Sequence, residues 1–174
     1  MKNIVLVGLP GCGKTTLGKL LAKNLDFEFI DCDEVIEKTE NKVISKIFED
    51  SGESAFRDIE TKILKDLLSV HNAVIATGGG CVERRENFEI LKSLGIVVFV
   101  NRPVEKIISD IDTAKRPLLT DSKTRLYALN ERRLPLYQEV CDIDILVDLT
   151  PEAAAEKILD EVKKNGWKFK NYGS

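Results

Sequence analysis

The sequence predicts an α/β fold with a parallel sheet covered by helices on both faces. Three observations carry that expectation. Short apolar runs rich in β-branched residues recur along the chain. Stretches with apolar residues at helical spacing alternate with them. Glycines and charged residues cluster just after the runs. Strand–helix alternation implies βαβ units, whose strands are buried on both faces and so read as continuous apolar segments. Ligands of such sheets bind beyond the carboxyl ends of the strands, so the functional residues should follow the runs.

The elements follow in order. Ile4 to Val7 is a first strand, and Lys14 to Asn24 a helix with Leu17, Leu20 and Leu21 on one face. Phe27 to Ile30 is a second strand, and Val35 to Glu49 a broken helix. Ser54 to Val70 carries Phe56, Ile59, Ile63, Leu64, Leu67 and Leu68 and forms an amphipathic helix. Ala73 to Ala76 is a third strand, and Ile96 to Val100 a fourth; the segment between Gly80 and Ile96 receives no element. Val104 to Ile111 is helical, Asp112 to Lys123 polar and without a period, and Thr124 to Glu139 helical until Pro135 breaks it. Ile143 to Val147 is a fifth strand, and Pro151 to Lys164 a last helix with proline at its start. Trp167 to Ser174 reads as a partly frayed tail.

The chain has 174 residues, is 43% hydrophobic and carries a net charge of −3. One domain with an ordinary core is expected over residues 1–174. Lys and Arg form no basic excess, which argues against a nucleic-acid partner. No apolar run is long enough for a membrane span, and the short run at the start leads straight into a glycine loop rather than a cleavage site. The 4 cysteines (Cys12, Cys32, Cys81 and Cys141) form no CxxC pair, so reduced thiols in a cytoplasmic protein are expected, not a metal site or a disulfide framework.

The most specific signal is GLPGCGKTT, where Gly8, Gly13, Lys14 and Thr15 match G-x-x-x-x-G-K-[ST] and Gly11 adds a further glycine. Glycines let successive N–H groups turn inward around a phosphate, and the helix that follows adds its N-terminal dipole. Lysine then reaches the β- and γ-phosphates, and the threonine hydroxyl can bind Mg²⁺. The alternative is a tight turn before a helix that happens to begin Lys-Thr-Thr, and the strand before the loop with the helix after it weighs against that. A nucleoside triphosphate is the expected ligand.

The other strand ends carry weaker signals. Asp31-Cys32-Asp33 follows the second strand: one carboxylate could hold a metal through water and the other accept a proton from a hydroxyl, or the pair could be a solvated loop with Asp33 as a helix N-cap. Arg57 and Glu60 share a helical face; if partly buried, Glu60 would fix the Arg57 fork for a carboxylate ligand, whereas on a surface the pair would do little. Thr77-Gly78-Gly79-Gly80 ends the third strand, allowing close approach of backbone to ligand, or an irregular turn. No aspartate stands there, so Asp31 would have to serve the metal. Lys115-Arg116-Pro117 suits a lid that brings an arginine onto a transferring phosphoryl group, or a basic surface loop. Arg132 and Arg133 precede Pro135, where they could instead oppose a helix C-terminal dipole. His71 reads as a surface or capping residue.

Taken in order, GLPGCGKTT, DCD, ESAFRDIE, TGGGCV, KRPLL and RLPLY resemble the shikimate kinase family, over residues 4 to about 160. The resemblance implies a three-layer αβα P-loop NTPase fold, like that of nucleoside monophosphate kinases, with a five-stranded parallel sheet of order 2-3-1-4-5. It implies a helical lid at about residues 112–123, between core segments 1–111 and 124–165. The implied reaction moves the γ-phosphate of ATP to the 3-hydroxyl of shikimate, with one Mg²⁺, in a cytoplasmic monomer without nucleic-acid or membrane partners. Gly11, Cys12, Gly13, Lys14, Thr15 and Thr16 would hold the ATP phosphates, and Thr15 and Asp31 the metal. Asp33 would bind the reacting hydroxyl as the base, with Lys14 and Arg116 catalytic beside it. Arg57 and Arg133 would grip the substrate carboxylate, Glu60 would orient Arg57, and Gly78, Gly79 and Gly80 would line the substrate. Pro151 would flank the adenine. Ser109 departs from the pattern, standing where members commonly carry an adenine-stacking arginine, and Cys32 replaces a serine or threonine as a small filler. A guanine-nucleotide switch is excluded: Asn41-Lys42-Val43-Ile44 begins NKxD but lacks its aspartate.

Overall fold

The computed structural model describes residues 3–113, 120–148 and 150–166. The strands are β1 (Asn3–Val7), β2 (Glu28–Asp31), β3 (Ala73–Ala76), β4 (Gly95–Asn101) and β5 (Ile143–Leu146). The helices are α1 (Lys14–Leu25), α2 (Cys32–Glu40), α3 (Ile44–Asp66), α4 (Glu86–Leu94), α5 (Val104–Thr113), α6 (Thr120–Val140) and α7 (Pro151–Lys164), with short 3₁₀ turns at Leu67–Ser69 and Cys81–Glu83. The sheet has 5 strands in the order β2-β3-β1-β4-β5, all pairs parallel, as expected. β1 and β3 are buried along their whole length, which is why they read as unbroken apolar runs. Helices α1 and α7 pack together, while α4 packs on α3 and against β1 and β4. The core between them is continuous, running from Ile4 and Leu6 to Leu91, Ile107, Tyr137 and Ile158. Asn3 pins the edge of this packing, donating to the carbonyls of Val70 and Leu94 and accepting from the N–H of Ala73.

Several boundaries differ from the sequence reading. The broken helix resolves into α2, which ends at Asn41 in a left-handed conformation, and the start of α3. α3 is then interrupted at Gly52 (φ 79°, ψ 174°), which lets Phe48 stack on Phe56 across the kink at 4.5 Å. Residues Glu86–Leu94 form a helix that the sequence reading did not assign; its apolar residues Phe88, Ile90, Leu91 and Leu94 are all buried. Helix α6 begins at Thr120 and does not break at Pro135; it continues to Val140. Burial of Tyr137 and Val140 against the sheet offsets the ~3 kcal/mol that an interior proline costs. The polar stretch expected over Asp112 to Lys123 is therefore helical at both ends, through Thr113 and from Thr120. Arg116, the centre of the expected lid, and the tail Trp167 to Ser174 lie outside the described residues. No described helix is long and apolar enough to cross a membrane.

Candidate active site

The chain leaves β1 at Gly8 and starts α1 at Lys14. Between them Gly13 caps the helix in the left-handed region (φ 101°, ψ 13°), a conformation in which a side chain would be strained. That turn brings the loop N–H groups and the N-terminus of α1 to one point, the arrangement that favours an anion. The Lys14 ammonium is buried and folds over its own loop, donating to the carbonyls of Gly8 and Leu9, each at 2.9 Å. A cavity of about 430 Å³ opens above; Gly11, Gly13, Lys14, Thr15 and Thr16 line one side, and Asp31, Asp33 and Gly79 the other. Cys12 is packed into the core behind it.

Asp31 ends β2 and makes two bonds. Its Oδ2 accepts from the Thr15 hydroxyl at 2.8 Å, and its Oδ1 from the Asp33 N–H at 3.1 Å. The N-cap of α2 is thus Asp31, not Asp33. Asp33 sits in the first turn with its carboxylate turned to the cavity. Burial pushes its pKa up, the Asp31 charge adds to the rise, and Lys14 opposes it. Cys32 between them is buried, as a filler should be. Thr15 and Asp31 offer hard oxygen donors side by side, which suits Mg²⁺ completed by phosphate oxygens and water. Among the described residues no group of three or more His, Cys, Asp or Glu could hold a metal by itself.

The glycine turn after β3 is the seam of the site. A Cβ on Gly78 would lie 2.6 Å from Glu60 Oε1 and 3.0 Å from Asp33 Oδ1. One on Gly79 would lie 2.8 Å from Pro10 of the phosphate loop, and one on Gly80 2.1 Å from Arg57 Nη2. The turn has no room for side chains because these groups close on it from three directions. Two buried residues hold it in place. Tyr137, stacked on Phe99 at 5.0 Å, donates its hydroxyl to the Gly79 carbonyl. Asn87 of α4 donates to the Cys81 carbonyl at 2.7 Å while accepting from Thr61.

Beyond the seam lies a second cavity of about 390 Å³, lined by Phe48, Glu53, Arg57, Arg125, Ala128, Leu129, Arg132 and Arg133. Arg57 donates from Nη1 to Glu60 Oε2 at 2.8 Å, and from Nη2 to Glu53 and Glu83, both at 3.3 Å. Glu60 is 1% exposed in its side chain, so the Arg57–Glu60 pair is the buried one that the sequence left open. Burial works against the Arg57 charge, but Glu60 and then Glu83 outweigh it and raise its pKa. Glu60 itself is pushed up by burial, with Arg57 pulling the other way. Glu60 Oε1 and Arg57 Nε are buried without a hydrogen-bond partner among the described residues. A ligand or water between the two cavities would satisfy such groups.

Of the expected residues, Gly11, Gly13, Lys14, Thr15, Thr16, Asp31, Asp33 and Gly79 therefore line the first cavity and Arg57 and Arg133 the second, while Cys12 and Glu60 are buried and line neither. Arg57 and Arg133 lie in the second and Asp33 in the first, joined through Gly78 and Gly80. Arg133 stands inside α6 rather than at a helix end, so it does not serve a C-terminal dipole. Pro151 is at the start of α7, where Thr150 caps the helix by accepting from Ala153 N–H, and Lys106 donates to the neighbouring Asp148 carbonyl. Ser109 is exposed on α5. His71 is exposed, as expected.

Sequence reasoning missed Glu83, Arg125, Tyr137 and Arg102. Arg102 follows β4 with Nη1 4.0 Å from where a Cβ on Gly13 would sit, and it pairs with Asp110 of α5. Only its place after a strand could have marked it. Glu83 had no signal at all, because its partners come from α3 and α6.

The match to known proteins bears on this geometry directly. A family model described as shikimate kinase matches residues 10–163. The chain belongs to the shikimate kinase family. It is 46% identical over 165 residues to a shikimate kinase of Clostridium botulinum, spanning 94% of this chain and 97% of the relative. It is 47% identical over 171 residues to one of Thermodesulfovibrio yellowstonii, spanning 94% and 96%. Among solved structures it is similar to a shikimate kinase from Acinetobacter baumannii in complex with shikimate, at TM-score 0.88 and 40% identity, covering 97% of this chain and 96% of that one. The sheet order and helix pattern of the shikimate kinase family are those found here.

Proposed function

We propose that the two cavities hold the two substrates of one phosphoryl transfer: ATP over the phosphate loop and shikimate across the glycine seam. Membership of the shikimate kinase family makes the chain an ATP-dependent kinase that acts on the 3-hydroxyl of shikimate, yielding shikimate 3-phosphate and ADP. The observation that carries the assignment of roles is the seam itself. A carboxylate that can take a proton (Asp33) and an arginine that can hold a carboxylate (Arg57) lie against neighbouring glycines of a single turn. Shikimate carries a carboxylate and three hydroxyls on one ring, and a site for it needs both groups within one small molecule's reach.

In this reading Gly11 to Thr16 hold the phosphates, and Lys14 turns from its own carbonyls to the γ-phosphate. Arg57 and Arg133 orient the substrate carboxylate while Glu60 keeps the Arg57 plane fixed. Asp33 accepts the proton of the 3-hydroxyl as its oxygen bonds to the γ-phosphorus, and the β,γ-bridging bond breaks toward ADP. Thr15 and Asp31 would hold Mg²⁺, which neutralises phosphate charge. Arg116, outside the described residues, is assigned to the transferring phosphate by the resemblance alone, and Pro151 to the adenine. We extend the reading to a monomeric cytoplasmic enzyme without nucleic-acid partners, in keeping with a net charge of −3.

The test is ADP release by the purified protein with ATP and Mg²⁺, with and without shikimate, with gluconate and AMP as control acceptors. Turnover with shikimate alone is expected. Turnover with a control acceptor instead would overturn the acceptor assignment and keep the fold.

A further inference from the structure

The arginine cavity already contains a carboxylate. Glu83 ends the 3₁₀ turn that follows Gly80. Its Oε1 accepts from Arg133 Nε at 3.1 Å and pairs with Arg132, and its Oε2 faces Arg57 Nη2 at 3.3 Å. One carboxylate thus bridges three arginines, using both oxygens. Its side chain is 17% exposed, against 10% for Arg57 and 7% for Arg133. The terminal nitrogens of Arg57 are all engaged: Nη1 by Glu60, Nη2 by Glu53 and Glu83. A ligand carboxylate that takes Arg57 Nη2 or Arg133 Nε meets N–H groups that Glu83 now holds, the first of them together with Glu53.

We propose that Glu83 is an internal competitor for the substrate carboxylate and that it sets the affinity and selectivity of the arginine clamp. This rests on the clamp roles given above to Arg57 and Arg133. Glu60 cannot play this part, because it is buried behind Arg57. Glu83 can leave by rotation of its own side chain, which is 17% exposed rather than sealed like that of Glu60 at 1%. While it stays, it spares buried guanidinium groups from lacking an anion. It also means that any anion must outcompete an attached carboxylate, so a weakly held ion gains little and a ligand with further contacts across the seam gains entry. A clamp that is free only part of the time binds with an affinity reduced by that fraction.

The experiment is calorimetric titration of the intact protein with shikimate, alongside steady-state kinetics. Glu83→Gln keeps the shape and removes the charge. It should bind shikimate several-fold tighter, about tenfold if Glu83 holds the clamp nine-tenths of the time. The KM for shikimate should fall while kcat and the KM for ATP hold. Glu83→Asp keeps the charge and shortens its reach, and should fall between parent and Glu83→Gln; it provides a second reading if the first variant does not fold. Unchanged or weaker shikimate binding in the variant measured overturns the proposal and makes Glu83 a support of the arginines. Arg57→Ala in the same titration separates the two layers. If it leaves shikimate binding untouched, the clamp itself is wrong; if it abolishes binding while Glu83→Gln does not tighten it, only the competitor is wrong.

Discussion

The phosphate-loop cavity and the arginine cavity meet at one glycine turn, yet they are built in opposite ways. The first is made largely of one contiguous stretch, Gly8 to Thr16, and its working groups are backbone N–H groups aimed by φ angles. The second is made of side chains from α3, α6 and the turn after β3, set by their charged neighbours: Arg57 is held by Glu60 and Glu53, while Glu83 occupies Arg57, Arg132 and Arg133 together. Backbone geometry is dictated locally and survives most changes around it. An aimed side chain is only as well placed as its partner. Damage should therefore spread differently through the two halves: changes around the arginines should alter shikimate binding and leave nucleotide binding alone.

The largest expected effect breaks the chemistry that lies between them. Asp33→Asn should lower kcat by about 10²–10⁴-fold, the usual worth of a general base, with ATP affinity nearly unchanged in a nucleotide titration. Because burial and Asp31 raise the Asp33 pKa, the folded state holds its proton more tightly than the unfolded chain does. Its ionisation thus costs stability as pH rises from the ordinary aspartate value through the folded one, and the cost persists at neutral pH. The Asn variant should melt at or above the parent temperature, which would separate lost turnover from lost fold.

Next in size are Arg57→Ala and Arg133→Ala. Each removes one arm of a buried, charge-paired clamp, a change that costs about 2–5 kcal/mol of binding. Shikimate titrations should weaken by about 30-fold or more, while ATP titrations stay within error. Equal weakening of both ligands would erase the distinction between the cavities. The smallest effect sharpens it: Tyr137→Phe leaves the Gly79 carbonyl without its donor and should cost about 1–3 kcal/mol of stability, read by denaturant unfolding. Because Gly79 lines the phosphate-loop cavity and closes on Pro10, the KM for ATP should rise along with that for shikimate.

Legibility in the sequence followed the same division. The loop GLPGCGKTT needed no tertiary information, because strand, glycines, lysine and helix lie within a few residues of one another. Asp31 and Asp33 are legible because the end of a parallel strand is a predictable place for ligand groups, while the cap of α2 is Asp31 rather than the Asp33 that the solvated-loop alternative offered. Arg57 and Glu60 could be paired by helical spacing, but whether they were buried could not be read. Helix α4 went unassigned even though its apolar residues keep a helical period, and Pro135 was taken for a helix end because intrinsic propensity says so.

By itself, then, the sequence determined the alternation of strands and helices, the phosphate loop and the identity of the groups that could grip a carboxylate. These depend on unbroken apolar runs, on a helical period of 3.6 residues and on contiguous motifs, which are properties of the chain before it folds. The tertiary structure alone decided that α6 runs through its proline, that Tyr137 reaches Gly79, and that Glu83 sits among Arg57, Arg132 and Arg133. Each of these joins segments far apart in the sequence. Burial and charge pairing between such segments act only once the sheet has brought them together, and there they outweigh the local preferences that a sequence displays.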